Sequence, residues 1–305
     1  ALSISGRSPT LVGLRKRSRK GPVLGWGGPA SDEKEGDSLF MDSLAAKLKG
    51  LDARLYDDSV FFLNPHEYLT YMLTGMAFSS TPSNSYHTWG GDLSEANERI
   101  TKHLVSPEKV APSKVIGSLV GNVTTEAARI TGLSIDAKVY VGGWDYQMDL
   151  IGSGAFISDD FLIRIGSTVG INALVDGRMS SDQFFCSPLF IKGKWVLGKV
   201  IPSSWKRGES EEALVALALR IKNSVRQLQA IVGTNRDLLI SGGMAFSTML
   251  PRALSKLMSR RIQRASSIAS EAMGCAIVAS VSSGLAHNYE SYVRTLTSGR
   301  TAFSP

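Results

Sequence analysis

The stretch from Ala137 to Leu174, AKVYVGGWDYQMDLIGSGAFISDDFLIRIGSTVGINAL, constrains the fold more than any other part of the chain. The short apolar run Val139-Tyr140-Val141 reads as a buried strand. It ends in Gly142-Gly143, followed at once by Trp144-Asp145. A carboxylate just past a strand end, on a glycine turn, stands where open α/β folds place their chemistry. Further on, Phe161 to Ile165 makes a second strand that runs into Gly166-Ser167-Thr168-Val169-Gly170. Glycines and hydroxyls in such a turn bring backbone N–H groups up to a phosphate.

The rest of the chain supplies what an α/β fold needs around that stretch. With 305 residues it is long enough for two domains sharing a cleft. A hydrophobic content of 43% supports a packed core rather than disorder. No apolar run approaches the ~18 residues of a membrane span, so no membrane partner is expected. Cys186 and Cys275 show neither metal spacing nor a disulfide framework, and no signal-peptide pattern is read at the start; the expectation is a reducing, cytoplasmic setting. The net charge of +7 gathers partly in Arg15-Lys16-Arg17 with Arg19-Lys20, and in Arg260-Arg261 with Arg264. These read as solvated loop and helix-end charge. No nucleic-acid module accompanies them, so no nucleic-acid partner is expected.

Taken in order, Ala1 to Ser5 reads as a strand without a partner, and Leu11 to Leu14 as a paired strand with the basic segment as its turn. Leu39, Met41, Leu44, Ala45 and Leu48 give Ser38 to Leu51 helical spacing. Asn64-Pro65-His66-Glu67 opens a further helix, with Asn64 as N-cap, Pro65 in the first turn and Gly75 as C-cap. His66 is expected to be an exposed helix-start residue. Glu95 to Leu104 fits a helix, and Thr124 to Gly132 reads as a capped helix with a glycine stop. Asp149, one turn after Asp145, reads as an ordinary helix residue. Phe184 to Phe190 and Lys194 to Ile201 pair around Lys192-Gly193-Lys194, and Glu211 to Ile231 is a long amphipathic helix. Asp237 to Ile240 is a buried strand entering Ser241-Gly242-Gly243-Met244-Ala245. A helix from about Thr248 to Ser259, a short strand at Arg261 to Gln263 and a small-residue helix around Ser270 to Ala279 follow. The tail from Glu290 carries no pattern.

GGWDYQMDLIGSGA followed by IGSTVGI resembles the central block of the FGGY carbohydrate kinases, xylulokinase-like members included. These are ATP-dependent sugar kinases of the actin-like, ribonuclease-H-like superfamily. PHEYLTYMLTG is similar to the family's P-x-D-Y-L-x-x-x-L-T-G helix, ISGGMAFS to its adenosine loop, and SEAMGCAIVA to its closing helix. ALSISGRSPTLVGL with Pro22 to Trp26 resembles a stretch well inside the family's first domain; Arg7 stands where a glutamine is usual, and Gly27-Gly28 replaces the acidic residue after the tryptophan. Thr81 to Thr88 matches the family's polar cleft-lining segment. Ser167-Thr168 inverts the usual Thr-Ser order. The family's opening strand and Asp-Gly-Thr phosphate turn have no counterpart, and its long insertion after the hairpin is reduced to Lys206-Arg207-Gly208.

The resemblance implies an α/β fold of two ribonuclease-H-like, actin-like ATPase domains flanking a cleft, the first incomplete at its start. The expected boundaries are residues 1–153 for the sugar-binding domain and 154–305 for the nucleotide-binding domain. It implies ATP-dependent phosphorylation of a sugar or polyol hydroxyl, with Asp145 as catalytic base and with Trp144 and Asp145 at the acceptor. Gly166, Ser167 and Thr168 would contact phosphates, and Gly242, Gly243 and Met244 the adenosine. ATP and Mg2+ are the implied cofactors, with no dedicated protein metal site assigned. A homodimer is left open. The alternative is a degenerate member that binds sugar or nucleotide without turnover.

Overall fold

The computed structural model describes residues 1–7, 10–15, 21–25, 41–81, 106–166, 168–203, 210–233, 236–247, 249–296 and 298–305. Expectations at Trp26 to Gly28, at residues 82–88, for the helix at Glu95 to Leu104, at Ser167 and at Lys206 to Gly208 lie outside them. The chain forms two compact units, Ala1–Asp145 with Val278–Ser283, and Tyr146–Ile277 with Gly284–Pro305. The long run of the first unit ends at Asp145, and that of the second begins at Tyr146.

The first unit carries β1 (Leu2–Ser3), β2 (Thr10–Arg15), β3 (Val23–Gly25), α1 (Met41–Leu51), α2 (Ala53–Asp58), β4 (Ser59–Leu63), α3 (Pro65–Thr74), β5 (Ser79–Thr81), β6 (Ser113–Val115), β7 (Leu119–Asn122), α4 (Thr125–Thr131) and β8 (Lys138–Tyr140). Its strands pair as β1-β8-β7, β3-β2-β4 and β5-β6. The stripe Met41, Leu44, Ala45 and Leu48 on α1 packs with Leu11 of β2, Tyr56 of α2 and Phe62 of β4, the i, i+3, i+4, i+7 pattern of a helix with one apolar face. β4 is absent from the sequence reading. Its residues SVFFL lack strict alternation, and only pairing with β2 identifies them as a strand. β1 is shorter than expected and is not an orphan, since Leu2 and Ser3 pair in parallel with Val139 and Tyr140.

The caps follow the sequence reading. Pro65 enters the first turn of α3, the Glu67 carboxylate accepts from the Asn64 backbone N–H, and Gly75 closes the helix at φ 74°. On α4 the Thr124 hydroxyl accepts from the Ala127 N–H and Gly132 adopts φ 75°. At both helix ends a left-handed residue is needed, and glycine adopts that conformation without steric cost.

The second unit continues with α5 (Asp145–Gly152), which starts at the junction, then α6 (Ala155–Ser158), β9 (Phe161–Ile165), β10 (Thr168–Asp176), β11 (Phe185–Pro188), β12 (Lys194–Pro202), α7 (Glu211–Val232), β13 (Leu238–Ser241), α8 (Met249–Met258), β14 (Ile262–Arg264), α9 (Ser270–Ser282, whose residues from Val278 belong to the first unit), α10 (Tyr289–Leu296) and β15 (Thr301–Phe303). Its seven-stranded sheet runs β11-β12-β10-β9-β13-β14-β15. β9, β13 and β14 are parallel, while β10, β12 and β15 are antiparallel to their neighbours. Setting β11 and β15 aside, the strands lie third-second-first-fourth-fifth with the second reversed, the arrangement of a ribonuclease-H-like half.

Alternation explains why this sheet is covered on both sides. Phe161, Ile163 and Ile165 of β9 pack with Leu238 and Ile240 of β13 against Leu214, Leu217, Ile221, Val225 and Leu228 of α7. The residues between them, Leu162 and Leu239, point to the opposite face and pack with Leu150 of α5 and Ala155. Strands buried on both faces read as continuous apolar runs, as FLIRI and LLIS do. The tail from Glu290, where the sequence shows no pattern, is structured. Val293 of α10 packs with Ile151 and Ile277, β15 pairs antiparallel with β14, and Arg300 Nη1 lies 2.8 Å from Asp160 Oδ2.

Candidate functional site

Asp145 opens α5, directly after the glycine turn that ends β8. The segment Ile4 to Gly6 runs alongside this turn. A Cβ on Gly142 would stand 1.8 Å from the Ile4 carbonyl oxygen, so the close approach requires glycine there. Gly6 bridges in parallel to Trp144, and the Asp145 N–H donates to the Gly6 carbonyl at 3.2 Å. The backbone leading into the carboxylate is thus fixed, and Asp145 is 8% exposed. Trp144 is partly buried.

The two candidate nucleotide turns stand side by side in the second unit. Gly166 follows β9 in the turn to β10, its N–H donating to the Thr168 carbonyl at 3.0 Å. Gly242 follows β13, whose Ser241 is in register with Arg164 of β9. Both glycines therefore lie just past the carboxyl ends of adjacent parallel strands, the ligand edge of open α/β sheets. Gly242 has φ 82°, and a Cβ there would approach the Ile165 carbonyl oxygen to 2.6 Å. Gly243 to Phe246 then form one short 3-10 turn, and a Cβ on Gly243 would meet nothing within 4 Å. Met244 lies inside this turn. Arg264, expected to be solvated, instead places its guanidinium 4.4 Å from the Phe246 ring centroid, a cation–π contact at the edge of the candidate adenosine loop.

Asp149 is the largest departure from the sequence reading. It is fully buried. The Ser241 hydroxyl, at the end of β13, donates to Oδ2, and the Ser270 hydroxyl, at the start of α9, donates to Oδ1. Arg164 Nε of β9 lies 3.8 Å from Oδ2, and the same guanidinium donates to Glu271 Oε1 at 2.8 Å. Burial pushes the Asp149 carboxyl up to about 6; the two serine donors and Arg164 draw it back, and Glu271 pushes it further up. α5 is held on its other side as well. Gln147 Nε2 donates to the Pro188 carbonyl at 3.2 Å, and the Tyr146 hydroxyl donates to Ser187 Oγ at 3.1 Å.

His66 is the second correction, since it is wholly buried rather than exposed. Its Nε2 lies 2.9 Å from Ser80 Oγ, and that hydroxyl donates to Glu67 Oε1 at 2.8 Å. Glu67 also accepts the Ser80 backbone N–H at 2.7 Å. Desolvation lowers the His66 pKa to about 3 and raises that of Glu67. A neutral imidazole donating from Nε2 fits these contacts. With no exposed atom, the group cannot meet a substrate as it stands; it ties the start of α3 to β5.

That burial predicts an acid-sensitive first unit. A histidine depressed from 6.5 to about 3 contributes stability that is fully present above pH 6.5 and lost as pH falls toward 3. Asp149, raised to about 6, acts with the opposite sign: its contribution is full below its ordinary pKa of 3.8 and fades as pH rises through 6. A shape-conserving His66→Gln variant isolates the first term. Urea titrations should show wild type losing about 2 kcal/mol more than the variant between pH 6.5 and 5. Equal losses would show that His66 is not held neutral.

Among the described residues, no group of three or more His, Cys, Asp or Glu stands together as metal ligands. Of the carboxylates beside the candidate turns, buried Asp149 is committed to two serines and half-buried Glu271 to Arg164, and neither fits a protein-held Mg2+ site. Both cysteines are buried thiols. No described helix is long and apolar enough to cross a membrane.

No family model matches the chain. It is 25% identical over 233 residues to "Putative sugar kinase YoaC" of Bacillus subtilis, covering 70% of this chain and 47% of that protein. Over 91 residues it is 33% identical to "Autoinducer-2 kinase" of Escherichia coli, covering 29% of this chain and 17% of that one. The chain thus spans about half the length, or less, of these curated relatives. Among solved structures it is similar to gluconate kinase from Lactobacillus acidophilus (TM-score 0.77, 14% identity, 100% of this chain and 80% of that one). Plasmodium falciparum glycerol kinase with ADP gives a TM-score of 0.76 at 12% identity, covering 99% and 79%. Xylulose kinase from Rhodospirillum rubrum gives 0.73 at 16%, also covering 99% and 79%. The resemblance to FGGY carbohydrate kinases is borne out by these likenesses, and the fold is the α/β, actin-like ATPase fold.

Proposed function

We propose that this chain carries the working parts of an ATP-dependent sugar or polyol kinase, with Asp145 as the catalytic base. The observation that carries the reading is the pair of glycine turns at Gly166 and Gly242, at the carboxyl ends of adjacent parallel strands β9 and β13. The kinase likenesses in sequence and fold support it.

In this mechanism the turn at Gly166, Ser167 and Thr168 holds the β- and γ-phosphates, Gly166 leaving room for their close approach and the two hydroxyl residues supplying donors. The loop from Gly242 to Met244 packs on adenosine, where the exposed backbone face of Gly243 lets the base lie close. Trp144 shapes the acceptor side. Asp145 accepts the proton of the attacking hydroxyl as its oxygen bonds to the γ-phosphorus and the β–γ bridge breaks to release ADP. Most of the rate acceleration in such a transfer comes from positioning and charge stabilisation rather than from covalent chemistry. Mg2+, where used, would arrive with the nucleotide, and no step is assigned to it.

The direct test is ADP formation by the purified chain against pentoses, aldonates and polyols. The expected result is turnover that depends on one acceptor class. ADP formation at one rate with or without every acceptor would mark an ATPase and overturn the reading.

A further inference from the structure

We propose that Asp149 is a positioning residue that sets the two glycine turns at Gly166 and Gly242 in register with each other and with α5. The inference rests on the reading of those turns as nucleotide-facing for its functional consequence, though its mechanical part stands apart from it.

The argument is one of placement. Asp149 lies one turn after Asp145 on the same helix. Its Oδ2 takes the hydroxyl of Ser241, the residue immediately before Gly242. Arg164, two residues before Gly166, faces the same oxygen at 3.8 Å. The Arg164 guanidinium is in turn held by Glu271, next to Ser270, which donates to the other Asp149 oxygen. One carboxylate therefore closes a ring through the end of β9, the end of β13 and the start of α9. Gly242 also lies close against the carbonyl of Ile165, the residue immediately before Gly166. A displacement at Ser241 or Arg164 has no slack to absorb it before it reaches both glycines.

The ring is not a requirement of packing alone. Residues filling the same space with apolar atoms would cover the sheet equally well, and a buried carboxylate without donors is costly. What a carboxylate adds is direction: two oxygens, each facing a chosen donor, fix angles that apolar contact leaves loose.

The test compares wild type with Asp149→Asn, which keeps the volume but replaces one acceptor oxygen with a donor. Amide hydrogen exchange reads the mechanical claim without any need for activity. The probes are the Gly166, Ala245 and Ser247 amides, each hydrogen-bonded within its turn; the reference is the β10–β12 ladder of the same unit. Exchange at the three probes should rise at least about tenfold while the ladder stays unchanged. A uniform rise across the unit would assign Asp149 a general structural role and overturn the proposal, as would no change at the probes. ATP and ADP titrations on the same samples read the consequence. The variant should bind both at least about tenfold more weakly, with the KM for the acceptor unchanged. Local exchange changes in a chain that binds neither nucleotide even as wild type would sink the kinase reading and leave the positioning claim supported.

Discussion

Replacing Gly274 with alanine should lower the melting temperature of this chain by roughly 6–12 °C, and replacing it with valine should prevent folding of the second unit. The reason is a helix crossing with no room for side chains. A Cβ at Gly274 on α9 would stand 1.9 Å from the Met148 carbonyl oxygen on α5, and one at Gly152 on α5 would stand 1.8 Å from the Ser270 carbonyl oxygen on α9. Both obstacles are backbone, so relief requires the helices to part. Parting them would pull Ser270 from Asp149 and uncover Ile151 and Ile277, which pack together beside the crossing. Overpacking typically costs about 1–3 kcal/mol and more where backbone must move, a large share of the ~5–15 kcal/mol that holds a domain folded. Gly243→Ala is the matched control. Its Cβ meets nothing within 4 Å, and its effect on thermal stability should stay within about 0.5 kcal/mol. Equal melting temperatures for the Gly274→Ala and Gly243→Ala variants would show that the crossing is not tight.

Asp145→Ala should lower kcat for phosphoryl transfer by about 10²–10⁴-fold, the range a general base supplies. Nucleotide affinity should be unchanged, because the proposed nucleotide turns follow β9 and β13 and the Asp145 side chain is no part of them. Asp145→Asn, nearly identical in shape, should lose the same activity, which separates proton acceptance from packing. Stopped-turnover assays for kcat and calorimetry for ADP binding measure the two quantities independently. A parallel fall in both would remove Asp145 from the role of base and make it a structural residue at the head of α5.

What could be read in the sequence was what local chemistry dictates. FLIRI and LLIS announce buried strands because their only polar residues, Arg164 and Ser241, stand near the strand ends. Gly75, Gly132 and Gly242 mark turns because the backbone there adopts positive φ. Asn64 and Thr124 mark helix starts because the following backbone donors need partners. The glycine turns of the candidate site were legible for the same reason.

The polar interior was not. Asp149 meets Ser241 and Ser270 across 92 and 121 residues of sequence, and Arg300 reaches Asp160 across 140. On a helix with apolar neighbours on both sides, a single aspartate reads as an ordinary helix residue, and nothing local reveals the two serine donors and the nearby Arg164 guanidinium in the core. His66 is hidden from local reading in the same way. Its place in the first turn of α3 suggests exposure, but β5, which supplies Ser80, covers it. Glu67 offered one signal that could have been used. A carboxylate three residues after an N-cap asparagine reaches back to the cap, and here the same carboxylate also takes the Ser80 backbone N–H and hydroxyl of β5.

The measurement that bears most directly on the central claim is phosphorus NMR of ATP incubated with the chain and each acceptor in turn. The account predicts a new phosphomonoester resonance with one acceptor class, growing in step with ADP and absent when Asp145 is alanine. Inorganic phosphate in place of a phosphomonoester, or a phosphomonoester that forms equally well without the Asp145 carboxylate, would contradict it.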